Sequence, residues 1–154
     1  MDAEELLKLY AAGERYFSGV DFIGVDLSGA NLENANFTWS YFTSAILKNT
    51  NFRRSDFTSA ILENTNFSGA NLSKVTFERN EIIRNCNFSR ANLQDACLAE
   101  AGIFDSDLRG ANLDNFQMIE GAIGGCNMEG ASLRNADLGA TGGIHGTNLR
   151  NADL

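Results

Sequence analysis

The sequence predicts an all-β fold, a solenoid with four flat sides, and three observations support this. A large apolar residue recurs at every fifth position from Phe17 onward, the residue two positions before it is mostly small, and units such as Ala70-Asn71-Leu72 recur along the chain. A period of five fits neither a helix nor a strand, whereas short repeats of fixed length are typical of solenoids. Four such quintets close one square coil, and coils stack about 4.8 Å apart.

The large apolar residues, which we call centres, define the predicted core. The chain has 28 centres, and four per coil give about seven coils in which centres twenty positions apart are vertical neighbours. One additional residue after the centre Ile82 and another before the centre Ile144 interrupt the period, so we expect bulges near Ile83 and Gly143. Phe116 falls at a position that is otherwise small, so the sixth coil must widen there or turn this ring outward. We number the sides in chain order, so that side one begins with the centre Phe17. The core columns include Phe37, Phe57 and Phe77 on side one, and Leu72, Leu93 and Leu113 on side four.

The beginning of the chain has a different pattern. Residues 1–14 are predicted to form a helical cap and linker, and residues 15–154 the solenoid. A helix over residues 2–12 would cover the open apolar end of the first coil and its unpaired strand edges at Phe17 and Phe22. The helix signals are a capping residue, an apolar face and a terminal glycine, namely Asp2, Leu6, Leu7, Tyr10 and Gly13.

The quintets resemble the repeat of a known family. The pattern Ala-(Asp/Asn)-Leu-X-X appears at Ala30-Asn31-Leu32, Ala70-Asn71-Leu72, Ala111-Asn112-Leu113 and Ala136-Asp137-Leu138. In this pattern the chain resembles the pentapeptide-repeat proteins, most of all the small cyanobacterial-type members. The resemblance implies a right-handed quadrilateral β-helix.

Composition limits the classes of function. The chain has 154 residues, no proline and a formal net charge of −8. It has no apolar window long enough to span a membrane, and its acidic start lacks the features of a secretory signal. We therefore expect a cytoplasmic protein that binds neither a membrane nor, given its negative charge, nucleic acid directly.

Residues of the types that form catalytic and metal sites are sparse. Cys86, Cys97 and Cys126 lack the spacing of a metal site. Cys86 and Cys126 occupy the same small position two coils apart, where we expect them to fill the core, and Cys97 should face outward. His145 is the single histidine. We expect no enzymatic activity, no cofactor and no metal.

A group of apolar residues is predicted to face solvent. Trp39 falls at the corner after side one, Tyr41 and Ile61 share one outward position in adjacent coils, and Ile23 is close to them. Several outward apolar residues together indicate a contact surface. We predict that these four residues bind a partner.

The charge is divided between the sides. Sides one and two hold nine acids against two arginines, a net −7, whereas sides three and four hold seven acids against eight basic residues, a net +1. Some pentapeptide-repeat proteins that shield DNA gyrase imitate duplex DNA, and one acidic row resembles theirs. A solubilising face is the alternative, because duplex DNA has one charge per about 1.7 Å and these two sides one per about 4.8 Å. The row consists of Asp56, Glu78, Glu100, Glu120 and Asp137.

Three hypotheses about function follow. The first is a non-catalytic scaffold that presents a rigid surface to a protein partner. The second is a DNA-mimicking regulator or protector of a topoisomerase such as DNA gyrase. The third is a module that assembles end to end, as a homodimer through its C-terminal coil.

Overall fold

The backbone winds as a four-sided coil in which residues twenty apart pair in parallel. The computed structural model describes residues 1–80, 83–139 and 144–154. We call the residue just before a centre the pre-centre residue. Each isolated β-bridge joins a pre-centre residue to its counterpart in the next coil, in agreement with the all-β prediction. The first complete coil pairs Tyr16 with Asn36, Asp21 with Tyr41, Asp26 with Ile46 and Asn31 with Asn51.

The centres fill the interior as stacked columns. On side one, the rings of Phe37 and Phe57 stack with centroids 5.3 Å apart, and those of Phe57 and Phe77 with centroids 5.8 Å apart. On side four, Leu72, Leu93 and Leu113 are fully buried. These six residues of the predicted columns are therefore buried, whereas Leu154 at the upper end is 76% exposed. The first centres of sides one to four are Phe17, Phe22, Leu27 and Leu32.

Helix α1 covers the first coil. It spans Ala3–Ala11, and a carboxylate oxygen of Asp2 accepts a 2.8 Å hydrogen bond from the Glu5 amide. Leu6 is fully buried in the same apolar cluster as the centres. The prediction that Leu7 shares this face is wrong: Leu7 is 39% exposed. One residue further along a helix is rotated by about 100°, which turns Leu7 away from the coil.

Among the described residues, extended strands occur only on sides one and two of the coil. They form two parallel sheets, one in the order β1-β3-β5-β7-β8 and one in the order β2-β4-β6. The strands are β1 Leu62–Glu63, β2 Thr76–Glu78, β3 Ile83–Arg84, β4 Cys97–Ala99, β5 Gly102–Phe104, β6 Gln117–Ile119, β7 Ala122–Gly124 and β8 Ile144–His145.

Most other quintets turn sharply after the centre. In these the pre-centre residue is usually Asn or Asp, and its side-chain oxygen accepts the amide N–H of the residue after the centre. Asn66 accepts from the Ser68 amide at 3.1 Å, and Asn112 from the Asp114 amide at 2.9 Å. Such bonds hold the backbone in a local turn instead of an extended strand.

The period slips by one residue at two places. Leu62 pairs with Ile83 and Ile123 with Ile144, each 21 positions apart, so the predicted slips are confirmed. The assignment of Ile82 as a centre is wrong, because Ile83 is the fully buried residue between Leu62 and Ile103. Ile82 itself and the predicted bulge at Gly143 lie outside the described residues.

Small residues two positions before the centres connect successive coils. In the lower coils, where these are Ser or Thr, the hydroxyl donates to the carbonyl oxygen of a centre in the coil below, as in Thr50 to Leu27 at 2.7 Å and Ser55 to Leu32 at 2.9 Å. Phe116 occupies the same position and is fully buried. Of the two alternatives for Phe116, outward rotation is therefore excluded.

Candidate functional site

The predicted apolar patch comprises Trp39, Tyr41, Ile61 and Ile23. Tyr41 and Ile61 are bridged pre-centre residues of side two, one directly above the other. Trp39 is 66% exposed, Ile23 58% and Tyr41 45%, while Ile61 is partly buried. The backbone thus holds the four residues within adjacent coils of one corner and one side.

Trp39 has the left-handed backbone conformation that the corners of this coil share. It lies two positions after its centre, at the corner, where every described quintet with a sharp turn requires a positive φ; its own φ is 61°. Gly and Asn tolerate this region, whereas other L-residues lose about 1 kcal/mol there. Asn34 and Asn49 occupy equivalent corners with φ of 58° and 55°. A large, exposed aromatic residue at such a position is strained without contributing to the core.

An acidic residue borders the patch. Asp21 lies directly below Tyr41 in the same bridged row, and its carboxylate accepts the Ile23 amide N–H at 2.8 Å. Asp56 lies at the other end of side one, in a shallow pocket with Arg15 and Arg54. The patch therefore has an apolar middle and one carboxylate, that of Asp21, at its edge.

The five carboxylates of the predicted acidic row do not form one line. Asp56 and Asp137 are pre-centre residues of side one, and each accepts the amide N–H two positions on. Glu78 follows a centre in β2, and Glu100 and Glu120 lie at corners with φ of 51° and 54°. The row is thus divided among three positions of the quintet.

Two arginines offset part of this negative charge. Arg79 lies 3.4 Å from the Glu100 carboxylate, and Arg84 lies 3.4 Å from the Asp105 carboxylate. Both pairs are more than half exposed, so each contributes little to stability. They nevertheless lower the density of uncompensated charge along sides one and two.

The cysteines and the histidine form no reactive group. Cys86 and Cys126 are buried as predicted, and burial raises the pKa of Cys86 to about 12. Burial also raises the pKa of the partly exposed Cys97. His145 is exposed in β8. Throughout the described part of the chain, no cluster of three or more His, Cys, Asp or Glu could hold a metal, and no helix has the length and apolar character to cross a membrane.

Sequence reasoning located the patch residues but missed the strain at Trp39. The signal was present, because corner positions in the first coils are held by Gly19, Gly24 and Asn34. Other corners hold Ser44, Arg54 and Lys74, so the unusual feature of Trp39 is its large exposed ring rather than its φ.

The fold and its surfaces define a four-sided β-solenoid that displays its side-chain chemistry on flat outer faces. A family model described as a pentapeptide repeat region matches residues 14–84. The chain is similar to this family over these residues, which make up less than half of its length. The parallel bridges continue beyond the matched residues, from Asn66 and Asn87 up to Ser132 and Asp153.

Solved structures show similar folds. The pentapeptide repeat protein alr5209 from Nostoc PCC 7120 is 19% identical, with a TM-score of 0.50 and coverage of 99% of this chain and 95% of that chain. Rfr23 from the cyanobacterium Cyanothece 51142 is 27% identical, with a TM-score of 0.44 and coverage of 98% and 97%. QnrB1, a plasmid-mediated fluoroquinolone resistance protein, is 16% identical, with a TM-score of 0.41 and coverage of 90% and 89%. Among curated proteins, no sequence matches this chain.

Proposed function

We propose that the chain acts in the cytoplasm as a rigid, non-catalytic scaffold that binds a protein partner through Trp39, Tyr41, Ile61 and Ile23. The observation that supports this most is the 66% exposure of Trp39 beside the exposed Tyr41 and Ile23. Tryptophan and tyrosine are also the residues that most often dominate binding energy at interfaces.

The edge of the patch indicates the chemistry of the partner. Asp21 borders the apolar middle, and sides one and two are acidic as a whole, with nine acids against two arginines. A partner with an apolar pocket for Trp39 and basic groups around it fits this arrangement. The apolar contact supplies affinity, and the charges supply orientation and association rate.

Substitution of Trp39 by Asn tests the proposal. Asn is the natural corner residue at Asn34 and Asn49, so Trp39→Asn should leave stability unchanged or raise it by about 1 kcal/mol. Partner binding should weaken by about tenfold or more, because an exposed aromatic anchor is removed. The measurements are thermal unfolding and quantitative capture from the source cell, followed by titration of the purified partner.

Ile119→Asn is the matched control. Ile119 is also an exposed apolar residue, 53% exposed, but it lies on side one in β6, several coils above the patch. The Ile119→Asn variant should bind the partner as the wild type does. Unaltered binding by both Trp39→Asn and Tyr41→Asn would contradict the proposal.

A topoisomerase-directed DNA mimic is a second candidate, supported by the acidity of sides one and two. Its support is weaker, because Glu100 is paired with Arg79 and Asp56 already accepts a backbone N–H. A DNA gyrase supercoiling assay tests it. Inhibition or protection from a quinolone that disappears when Glu78, Glu100 and Glu120 are changed to Gln would favour the mimic over the scaffold.

Self-association is a third candidate, supported by the uppermost described layer. Leu138, Ile144 and Leu149 are only partly buried there, and Leu154 is 76% exposed. Contact between two such layers would bury these side chains. Light scattering at micromolar concentration decides this: a dimer that Leu154→Asp dissociates supports it, and a monomer rejects it.

A further inference from the structure

A polar groove lies on side three, away from the apolar patch. Its volume is about 610 Å³. It exists because two short residues, Ser68 and Ser89, stand between the long side chains of Lys48 and Arg109 in the row that follows the centres. Six of the lining residues matter here: Lys48, Asn66, Ser68, Asn87, Arg90 and Arg109.

The charged residues that line the groove are all basic. Within the described residues, neither Lys48 nor Arg90 has a carboxylate within salt-bridge distance, whereas Arg109 is paired with Asp107 at 2.6 Å. Asp26 lies one coil below Lys48 outside the groove, and there the Ser28 hydroxyl and then Lys48 lower the pKa of Asp26. Two basic side chains therefore remain available to a ligand.

The asparagines of the groove add hydrogen-bond donors. Asn66 and Asn87 each use the side-chain oxygen to accept a backbone N–H, from Ser68 at 3.1 Å and from Ser89 at 2.9 Å. Their amide NH₂ groups donate to no protein acceptor in the part of the chain that the structure describes. Each NH₂ group still has two hydrogens to donate.

Side four shows that this is not general to the fold. There the equivalent asparagines bond to one another up the side: Asn51 donates to Asn31 at 2.9 Å, and Asn71 donates to Asn51 at 3.1 Å. On side three, Asn148 likewise donates to Asn127 at 3.0 Å. Neighbouring asparagines thus take up some of these NH₂ groups, whereas those of Asn66 and Asn87 are available to a ligand, as are those of Asn112 and Asn127 outside the groove.

We propose that this groove binds a small ligand that carries an oxyanion, a phosphate or a carboxylate. Ammonium, guanidinium and amide N–H groups only donate, and oxyanions only accept. The volume lies within the range of about 300–1,000 Å³ that is typical of small-molecule sites. The site is independent of the apolar patch, so a protein partner and an anion can bind together.

Titration with inorganic phosphate and, separately, citrate tests the site and distinguishes the two sources of oxyanion. The full chain is labelled with ¹⁵N and titrated at constant ionic strength, which is balanced with chloride. Saturable shifts are expected at the amides of Ser68, Asn87 and Arg90. The double variant Lys48→Gln/Arg90→Gln should weaken binding by about tenfold or more, because both free cations are lost.

Two further variants separate a site from general charge. Asn87→Asp keeps the oxygen that accepts the Ser89 N–H but replaces the donor with a negative charge, so binding should disappear in a folded protein. Arg54→Gln removes an exposed cation of side four and should leave the affinity within about twofold. Shifts that follow ionic strength alone, or equal weakening by Arg54→Gln, would overturn the proposal.

Discussion

The same coils contain two kinds of quintet, which differ in backbone conformation: one kind turns sharply after its centre and the other forms an extended strand. On sides three and four above residue 83, the pre-centre residues are polar and form isolated bridges. On sides one and two at the same height, the residues after the centres also pair, as in Glu78 with Ala99 and Ala99 with Ile119. The pre-centre residues are Asn87, Asn92, Asp107, Asn112, Asn127, Ser132, Asn148 and Asp153 in the first kind, and Thr76, Cys97, Gly102, Gln117 and Ala122 in the second.

The comparison teaches that the pre-centre side chain favours one of two local geometries. An Asn or Asp before the centre accepts the N–H of the residue after it, and the chain turns. A residue without that oxygen, such as Cys97 or Ala122, leaves the N–H to the sheet, and the chain extends. Tyr41 and Ile46 are exceptions: their side chains lack such an oxygen, yet the chain turns sharply after the centres that follow them. The side chain therefore stabilises the turn but is not essential to it.

Core substitutions should have the largest effect and should not depend on the kind of quintet. Leu113 belongs to a turn quintet and Met118 to β6, yet both are buried. Either residue changed to Ala should cost about 2–5 kcal/mol, since each leaves a cavity between stacked coils. Chemical unfolding measures this, with the exposed Ile119→Ala as a control below about 0.5 kcal/mol. A small loss at only one of the two centres would mean that one kind of quintet packs loosely.

Removal of a turn-forming oxygen should have an intermediate effect. Asn112→Ala deletes the acceptor of the Asp114 amide, with an expected cost of about 1 kcal/mol. Gln117→Ala, at the pre-centre position of the next quintet, should cost less than about 0.5 kcal/mol. Denaturant unfolding and hydrogen exchange at the Asp114 amide check both. Equal costs would remove the proposed difference between the quintets.

The pH dependence should distinguish turns made by Asp from turns made by Asn. The Arg109 side chain holds the pKa of Asp107 below its ordinary value of 3.8, so the folded pKa lies below the unfolded one. The resulting stability, about 0.2–1 kcal/mol, is complete above the unfolded pKa and is lost as pH falls through the folded pKa. Unfolding of Asp107→Asn below about pH 4 should therefore depend less on pH than unfolding of the wild type. Parallel curves would contradict this.

Creation of a turn should have the smallest effect on stability. Gln117→Asn supplies the missing oxygen in β6 and should convert that strand to a turn, with a stability change within about 0.5 kcal/mol. NMR couplings at Ile119 report the conversion. Gln117→Leu, which has no such oxygen, is the control that should remain extended.

Sequence periodicity predicted the four sides and the columns because the centres are large and the position two residues before each centre is mostly small. It could not place the first slip, since Ile82 and Ile83 are both apolar and either satisfies the pattern. Pairing with Leu62 and Ile103 decides between them, and that is a long-range property.

The candidate site was predicted less completely. Tyr41 and Ile61 are twenty positions apart, so the period predicts that they lie one above the other. The acidic row is divided because its members occupy different positions within the quintet. The groove on side three was not predicted. It depends on short residues such as Ser68 between longer ones, and on amide groups that appear identical in sequence to the paired ones of side four.

The quintet also determines what an insertion or deletion does to this protein. Loss of twenty residues removes one whole layer and leaves every face above it aligned with the face below. Loss of five residues instead rotates the upper part of the rod by a quarter turn, so that acidic columns continue above neutral ones. The single-residue slips, which lengthen the spacing to 21, cause no such rotation, because the additional residue is absorbed before the next centre. The rod can therefore be lengthened in whole layers while the orientation of its surfaces is retained.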